Sequence, residues 1–413
     1  MKSRTPAGLL VTWVLTRALL LLCVFKVIVV PGPDVTSDVH VIYQGWFDVL
    51  RTGTFPLDDV TWQYPPAAAM AILSPALLPF LSYASAFFLL AFLADAVVLL
   101  MLLYVSERRG ASRRGTWVWV IGLPLLGQTA YARYDVMVTA VAIAALLAAA
   151  RHPRAAGVFA AIGAMIKVWP ALLLLGTRRG RATRQTWGTA VLTAAGLLVA
   201  FTVAMPGALA FLTFQKNRGT EVESLGSLVF HVARQFGWNG TVRLNYGSVE
   251  FLGPYVDVVS TLAQVLTALA FAWLVLWRFK ARAWQSATLA DAGLTAVLLF
   301  TTTSRVISPQ YMVWLVGVAA VCMLFRDSRM TLPVWLVLAA TFVTFLEFPL
   351  YFGNVVASDA VGVTLLFVRN GLLVVASLSA CRRLWRATVT EPRHAGHTPA
   401  HAPTSRDDAV PTP

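Results

Sequence analysis

The sequence predicts an all-α, polytopic integral membrane protein. Of its 413 residues 58% are hydrophobic and only 13% charged, and the mean hydropathy is +0.70. Apolar runs of roughly 20 residues, the length a helix needs to cross a bilayer, recur almost end to end. These observations exclude a string of soluble domains. A net charge of +14, from 33 Lys and Arg against 19 Asp and Glu, raises nucleic acid as a partner, but the cations sit where they mark topology instead. Cys23, Cys322 and Cys381 all fall in apolar stretches without paired spacing, so neither a disulfide framework nor a zinc site is readable.

The first run, Ala7 to Val30, follows Lys2 and Arg4, is too long for a signal-peptide core and reads as an uncleaved helix. Later runs are Tyr83 to Ser106, Thr116 to Ala130, Val136 to Ala150, Ala155 to Thr177, Thr186 to Pro206 and Tyr255 to Phe279. Ala290 to Thr303, Pro309 to Phe325, Met330 to Phe352 and Asp359 to Ala380 complete about ten to twelve passes.

Short cytoplasmic loops collect Lys and Arg. Basic clusters at Arg108/Arg109/Arg113/Arg114, Arg151/Arg154, Arg178/Arg179/Arg181/Arg184, Arg278/Lys280/Arg282, Arg326/Arg329 and Arg382/Arg383/Arg386 therefore belong together in the cytoplasm with the N-terminus. This places Pro65 to Ser82, with its four prolines, at the outer face. It also makes Ala155 to Thr177, broken by Lys167 and Pro170, a hairpin of two half-helices, with a single crossing as the alternative. One membrane domain over 1–385 results, with outer loops at 31–82 and 207–254, and a disordered cytoplasmic tail over 386–413 in which Pro, His, Thr and Asp dominate after Thr390.

Between Ser37 and Arg51, Val39, Ile42, Tyr43, Trp46, Val49 and Leu50 recur at helical spacing opposite His40, Gln44 and Asp48. This is an amphipathic helix on the outer interface, with Asp38 suited to cap it. Asp58 and Asp59 read as a solvated turn, and Trp62 and Tyr64 as headgroup-level anchors. The two runs flanking Gln128, Tyr131, Arg133 and Asp135 are short, implying a recessed, wetted outer cavity. A charge at bilayer depth costs about 2.5–3.5 kcal/mol, so Arg133 and Asp135 belong in such a cavity, or pair with each other to staple the turn. Lys167, at the hairpin apex, is placed either to reach an anionic headgroup or to snorkel, and Lys26 to snorkel. Arg17 and Asp95, mid-helix, suit a mutual ion pair. In the second outer loop Lys216, Arg218, His231, Arg234, Arg243 and Tyr246 accompany an amphipathic helix over Ser224 to Phe236, built on Leu225, Leu228, Val229, Val232 and Phe236. Arg305, just before Ser308-Pro309-Gln310-Tyr311, suits a phosphate, with a simple anchor as the alternative.

Taken together, the chain resembles the GT-C superfamily of membrane glycosyltransferases that use polyprenyl-phosphate sugars. More narrowly, Asp38-Val39-His40-Val41-Ile42-Tyr43, Tyr64-Pro65-Pro66, Lys167-Val168-Trp169-Pro170 and Ser308-Pro309-Gln310-Tyr311-Met312-Val313-Trp314 resemble actinobacterial polyprenol-phosphate-mannose-dependent α-mannosyltransferases. The resemblance implies a GT-C-like bundle with its active site outside and both termini cytoplasmic. It implies Asp38 as catalytic base and His40, Tyr43, Tyr64, Gln310 and Tyr311 among the substrate-binding residues. Many members carry histidine after the late Ser-Pro, where this chain has Gln310 and Tyr311.

The implied reaction is inverting transfer of a sugar, expected to be mannose, from a polyprenyl-phosphate donor to a glycolipid or cell-envelope polysaccharide. Phosphate already leaves well, so the reaction needs one base on the acceptor hydroxyl and cations on the departing phosphate. Arg305, Lys167 and Arg243 are the candidate cations, with Arg133 and Asp135 as further binding residues. No cofactor or metal is called for, an isolated Asp135 being a poor ion site. The partners are donor, acceptor and membrane lipid, without nucleic acid. An arabinofuranosyltransferase of the same architecture, a lipid-linked-sugar transporter and a membrane scaffold are the alternatives.

Overall fold

In a computed structural model the described residues are 7–108, 110–214 and 219–390. Sixteen α-helices follow in chain order. The first five are α1 (Ala7–Val24), α2 (Gln44–Leu50), α3 (Ala68–Leu73), α4 (Tyr83–Ser106) and α5 (Arg114–Gly122). Next come α6 (Asp135–Ala148), α7 (Pro153–Ile166), α8 (Arg181–Ala204), α9 (Phe211–Phe214), α10 (Leu228–Arg234) and α11 (Val256–Lys280). The last are α12 (Thr288–Thr303), α13 (Tyr311–Leu324), α14 (Thr331–Phe345), α15 (Phe352–Ala357) and α16 (Ala360–Trp385). Among the described residues six helices are long and apolar enough to span a membrane, and five shorter apolar ones accompany them, fitting a multi-pass membrane protein.

The centre of the bundle is α13. It is apolar all round, and every residue from Met312 to Leu324 is buried. A helix without a polar face has no stable place except inside other helices, here α4, α5, α6, α12 and α14. By contrast α8 and α11 leave most of their apolar surface outward, as helices facing lipid do. Close approach between helices relies on missing side chains. A Cβ at Gly157 in α7 would lie 2.2 Å from the Thr186 carbonyl oxygen of α8.

The basic loops gather at one end through a continuous chain of contacts. Ser112 N donates to Leu324 O at 2.8 Å, Arg383 Nη1 to Arg329 O at 3.0 Å and Arg282 N to Thr388 O at 2.9 Å. Arg179 donates to Arg278 O, and Thr189 Oγ1 to Arg154 O at 3.0 Å. Arg109, Lys2 and Arg4 lie outside the described residues, as do Lys216, Arg218 and the tail after Thr390; Arg386–Thr390 instead prolong α16 as one wide helical turn.

The stretch 155–177 folds back on itself. After α7 the backbone of Lys167 is extended, and Trp169–Gly176 returns as a 3₁₀ segment. Trp187 Nε1 donates to Leu174 O at 3.1 Å, and Thr189 to Arg154 O, so both ends of the stretch lie against the start of α8. Lys167 is thereby carried to the end of the bundle opposite the arginines.

Several expectations need correction. The loop over 207–254 contains a small antiparallel sheet, in order β1 (Thr220–Glu221), β3 (Ser248–Leu252), β2 (Thr241–Asn245). The helix expected over Ser224–Phe236 narrows to α10. It buries Phe230 and His231 rather than the anticipated stripe, leaving Val229 and Phe236 exposed, because the sheet and α16 pack on its other side. Trp62 is fully buried among Trp46 and Phe55 rather than at a headgroup layer. The turn expected at Asp58 and Asp59 is present, with Asp58 exposed and Asp59 accepting from Thr61 N at 2.8 Å, but Asp59 is half-buried and also accepts from Trp46 Nε1 at 2.7 Å. Lys26, just past the end of α1, has its ammonium exposed as a snorkelling lysine would, and pairs with exposed Asp34 at 2.8 Å.

Candidate active site

At the end of the bundle away from the arginine loops, the helix expected over Ser37–Arg51 is continuous but begins as a wide π-type turn, Asp38–Tyr43, running into α2. Val39, Tyr43, Trp46 and Leu50 are buried while His40, Gln44 and Asp48 face outward. Asp38 makes no cap hydrogen bond there. It is engaged by Arg133 Nη2 at 2.8 Å, with its own side chain 31% exposed. Arg133, nearly buried, also donates to Val35 O at 2.9 Å and Ala132 O at 2.7 Å, so the guanidinium is fixed by backbone as well as by charge.

Two residues on, Asp135 opens α6, where backbone N–H groups favour an anion. It is buried and bound to Lys167 Nζ at 2.8 Å and Trp314 Nε1 at 2.5 Å. The staple expected between Arg133 and Asp135 does not form. Each takes a partner from another segment, which pairs both charges within the protein and leaves Asp135 Oδ2 buried without a hydrogen bond among the described residues. Of the four ionised side chains only Asp38 is substantially accessible. Lys167 does not snorkel: its Nζ lies 5.4 Å from the centre of the Tyr64 ring, 5.1 Å from Tyr134, 5.8 Å from Tyr311 and 5.1 Å from Trp314. Cations are attracted to ring faces at this range, most strongly where water is scarce.

Aromatic stacking ties the two ion pairs into one cluster. Tyr43 lies 5.6 Å from Tyr134 between ring centres, Tyr64 lies 5.5 Å from Tyr134, and Tyr311 stacks on Trp314 at 3.9 Å. The structure therefore assembles Asp38, Arg133, Asp135, Lys167, Tyr43, Tyr64 and Tyr311 from motifs scattered over 270 positions of sequence.

Other sequence candidates lie elsewhere. His40 is exposed against Phe88, and Arg243 is exposed on β2 opposite Glu250. Gln310 is the half-buried residue preceding α13. Arg305 is half-buried, and its Nη1 donates to Ser260 Oγ at 3.3 Å. Its loop is pinned by Glu221, whose Oε2 accepts from Ile307 N at 2.6 Å and whose Oε1 accepts from Ser308 Oγ at 3.1 Å.

Sequence reading missed a buried polar cluster beside that loop. Arg369 in α16 pairs with Glu347 at 2.9 Å and donates to Glu223 O at 2.6 Å. Burial pushes the Glu223 carboxyl well above the usual carboxylate range, and the neighbouring carboxyls of Glu347 and Glu221 push it further. The available signal was an ionisable residue inside an apolar run, which Glu347 and Arg369 both supply. Trp314 and Tyr134, which complete the Lys167 enclosure, carried no such mark. Among the described residues no three His, Cys, Asp or Glu side chains gather so as to hold a metal ion.

No curated protein and no solved structure matches the chain. A family model described as glycosyltransferase family 87 matches residues 62–309, which span Tyr64, Arg133, Asp135, Lys167 and Arg305 and leave Asp38 just outside. That match covers more than half of the chain, and the bundle has the helical, polytopic form of a GT-C-type enzyme: the protein belongs to glycosyltransferase family 87.

Proposed function

We propose that the protein transfers a sugar, mannose, with inversion from a polyprenyl-phosphate donor to a glycolipid or envelope glycan at the outer membrane face. One observation carries this reading. Asp38 is the accessible carboxylate of the cluster, oriented by the near-buried Arg133 beside the Lys167–Asp135 pair. Asp38 takes the proton of the acceptor hydroxyl. The acceptor oxygen bonds to the anomeric carbon from the face opposite phosphate, and the carbon–oxygen bond to phosphate breaks with its electron pair leaving on the lipid phosphate. Arg305, on its braced loop outside the cluster, is the cation assigned to the charge that develops there, while Lys167, paired with Asp135, holds the cluster together. Asp135, buried and doubly held, positions Lys167 and is too enclosed to serve as the base.

Purified protein supplied with radiolabelled polyprenyl-phosphate mannose and cell lipids is expected to form labelled glycolipid. Asp38→Asn is expected to lower that rate by about 10²–10⁴-fold, the usual contribution of general base catalysis, while eluting as a folded protein. Near-normal turnover in the variant rejects the assignment. Vectorial movement of label without product favours the transporter, and product only from an arabinose donor replaces the sugar.

A further inference from the structure

Far from the proposed active site, at the arginine-rich end, a groove of about 600 Å³ runs between the start of α14 and the last turns of α16. Its mouth is lined by Arg329, Arg382, Arg383 and Arg386, and among the described residues no carboxylate lines it. Its wall is apolar: Leu332, Val375 and Leu378 are 43%, 52% and 64% exposed. Val375, Leu378, Arg382 and Arg386 follow at three- and four-residue steps, so one face of α16 changes along its length from hydrocarbon to guanidinium. This is the polarity profile of a lipid, with chains beside the apolar half and a headgroup at the charged half.

Held geometry distinguishes the mouth from a solvated basic run. Arg383 Nε donates to Ser379 Oγ at 3.2 Å and its Nη1 to Arg329 O at 3.0 Å, clipping the two helices together at the headgroup level. That contact leaves Arg329, Arg382 and Arg386 exposed around it. The N-terminus of the 15-residue helix α14, one residue beyond Met330, adds the partial positive charge of its free N–H groups. Several like charges converge, and among the described residues none of the groove arginines has a carboxylate ion pair; an anion with more than one charge matches them better than a single phosphate.

We propose that this groove binds a phospholipid whose headgroup carries two phosphates, drawn from the membrane leaflet that the arginine loops face. The exposed Arg329, Arg382 and Arg386 engage the two phosphates through their N–H donors, and acyl chains lie along Leu332, Val375 and Leu378. The site is independent of the proposed sugar transfer.

The test uses the full chain in detergent, with bound lipid counted by native mass spectrometry after incubation with diphosphatidylglycerol, phosphatidylglycerol or phosphatidylcholine. Diphosphatidylglycerol is expected to be retained about tenfold more than the other two, and R382Q/R386Q to lose that preference with an unchanged elution profile. Equal retention of all three lipids, or full retention by the double variant, overturns the proposal. Competition on the unaltered protein keeps the test independent of the variant's folding. Inorganic pyrophosphate at matched concentration should not displace the lipid, and displacement would assign the site to a soluble anion and overturn the lipid reading.

Discussion

Lys167 illustrates how a single side chain is read differently in one dimension and in three. In sequence it is a cation interrupting an apolar run, for which snorkelling and phosphate contact are both sufficient. In the folded protein one carboxylate and four rings surround it, so its charge is compensated inside the protein. Trp62 lies inward for a related reason: its ring packs on Trp46 and Phe55, and Asp59 beside it takes a hydrogen bond from Trp46, partners that sequence spacing does not announce. His231 yields a prediction at this scale. Burial disfavours its charged form and pushes its pKa down from 6.5 to about 4, while Nε2 lies 2.8 Å from Val222 O and Nδ1 2.7 Å from Ser358 Oγ. The folded value lies below the unfolded one, so this residue's contribution is complete above about pH 6.5 and is lost as pH falls toward about 4. The loss amounts to at most about 3 kcal/mol. Thermal unfolding in detergent should show the wild-type midpoint falling between pH 7 and pH 4.5 more than that of His231→Gln; parallel curves would assign the pH dependence to other groups.

At the scale of elements, apolar length was a reliable guide. The run Tyr83 to Ser106 is α4 residue for residue, and most others match their helices to within a few positions. What binds the helices was partly legible too. Arg17 and Asp95 do pair, at 2.7 Å. Sequence could not show that Trp119 Nε1, Tyr131 Oη and Trp13 Nε1 also donate to the Asp95 carboxylate, at 2.6, 2.5 and 3.4 Å. Arg17 in turn donates to Val120 O at 2.6 Å. One carboxylate thus joins α1, α4, α5 and the segment after α5. Removing it leaves a buried guanidinium uncompensated, a loss of about 3–5 kcal/mol. Asp95→Leu should therefore lower the unfolding midpoint sharply, and the double change Arg17→Met with Asp95→Leu should recover much of it. A double variant no more stable than the single one would show that the pair's charge is not what matters.

For the molecule as a whole, the arginine loops form one end and the Asp38 cluster the other. Their assignment to cytoplasm and exterior rests on the charge rule for loops. Sidedness is open to direct measurement, because Cys23 and Cys322 are buried and only Cys381 is partly accessible. In a Cys381→Ser background, a cysteine at exposed position His40 should react with an impermeant maleimide on intact cells, and one at Arg386 only after permeabilisation. The reverse pattern would put Asp38 on the wrong side for a donor in the outer leaflet.

The amino-acid sequence by itself determined that this chain crosses a membrane many times, where its helices lie and that its cations collect at one end. Each of these follows from local hydrophobicity and charge, which every residue carries regardless of its neighbours. Only the tertiary structure decided which ionised groups meet: Asp38 with Arg133, Asp135 with Lys167, Glu347 with Arg369. Partners separated by up to about a hundred positions are chosen by helix packing. In a medium with little water a buried charge persists only where packing delivers its counter-charge.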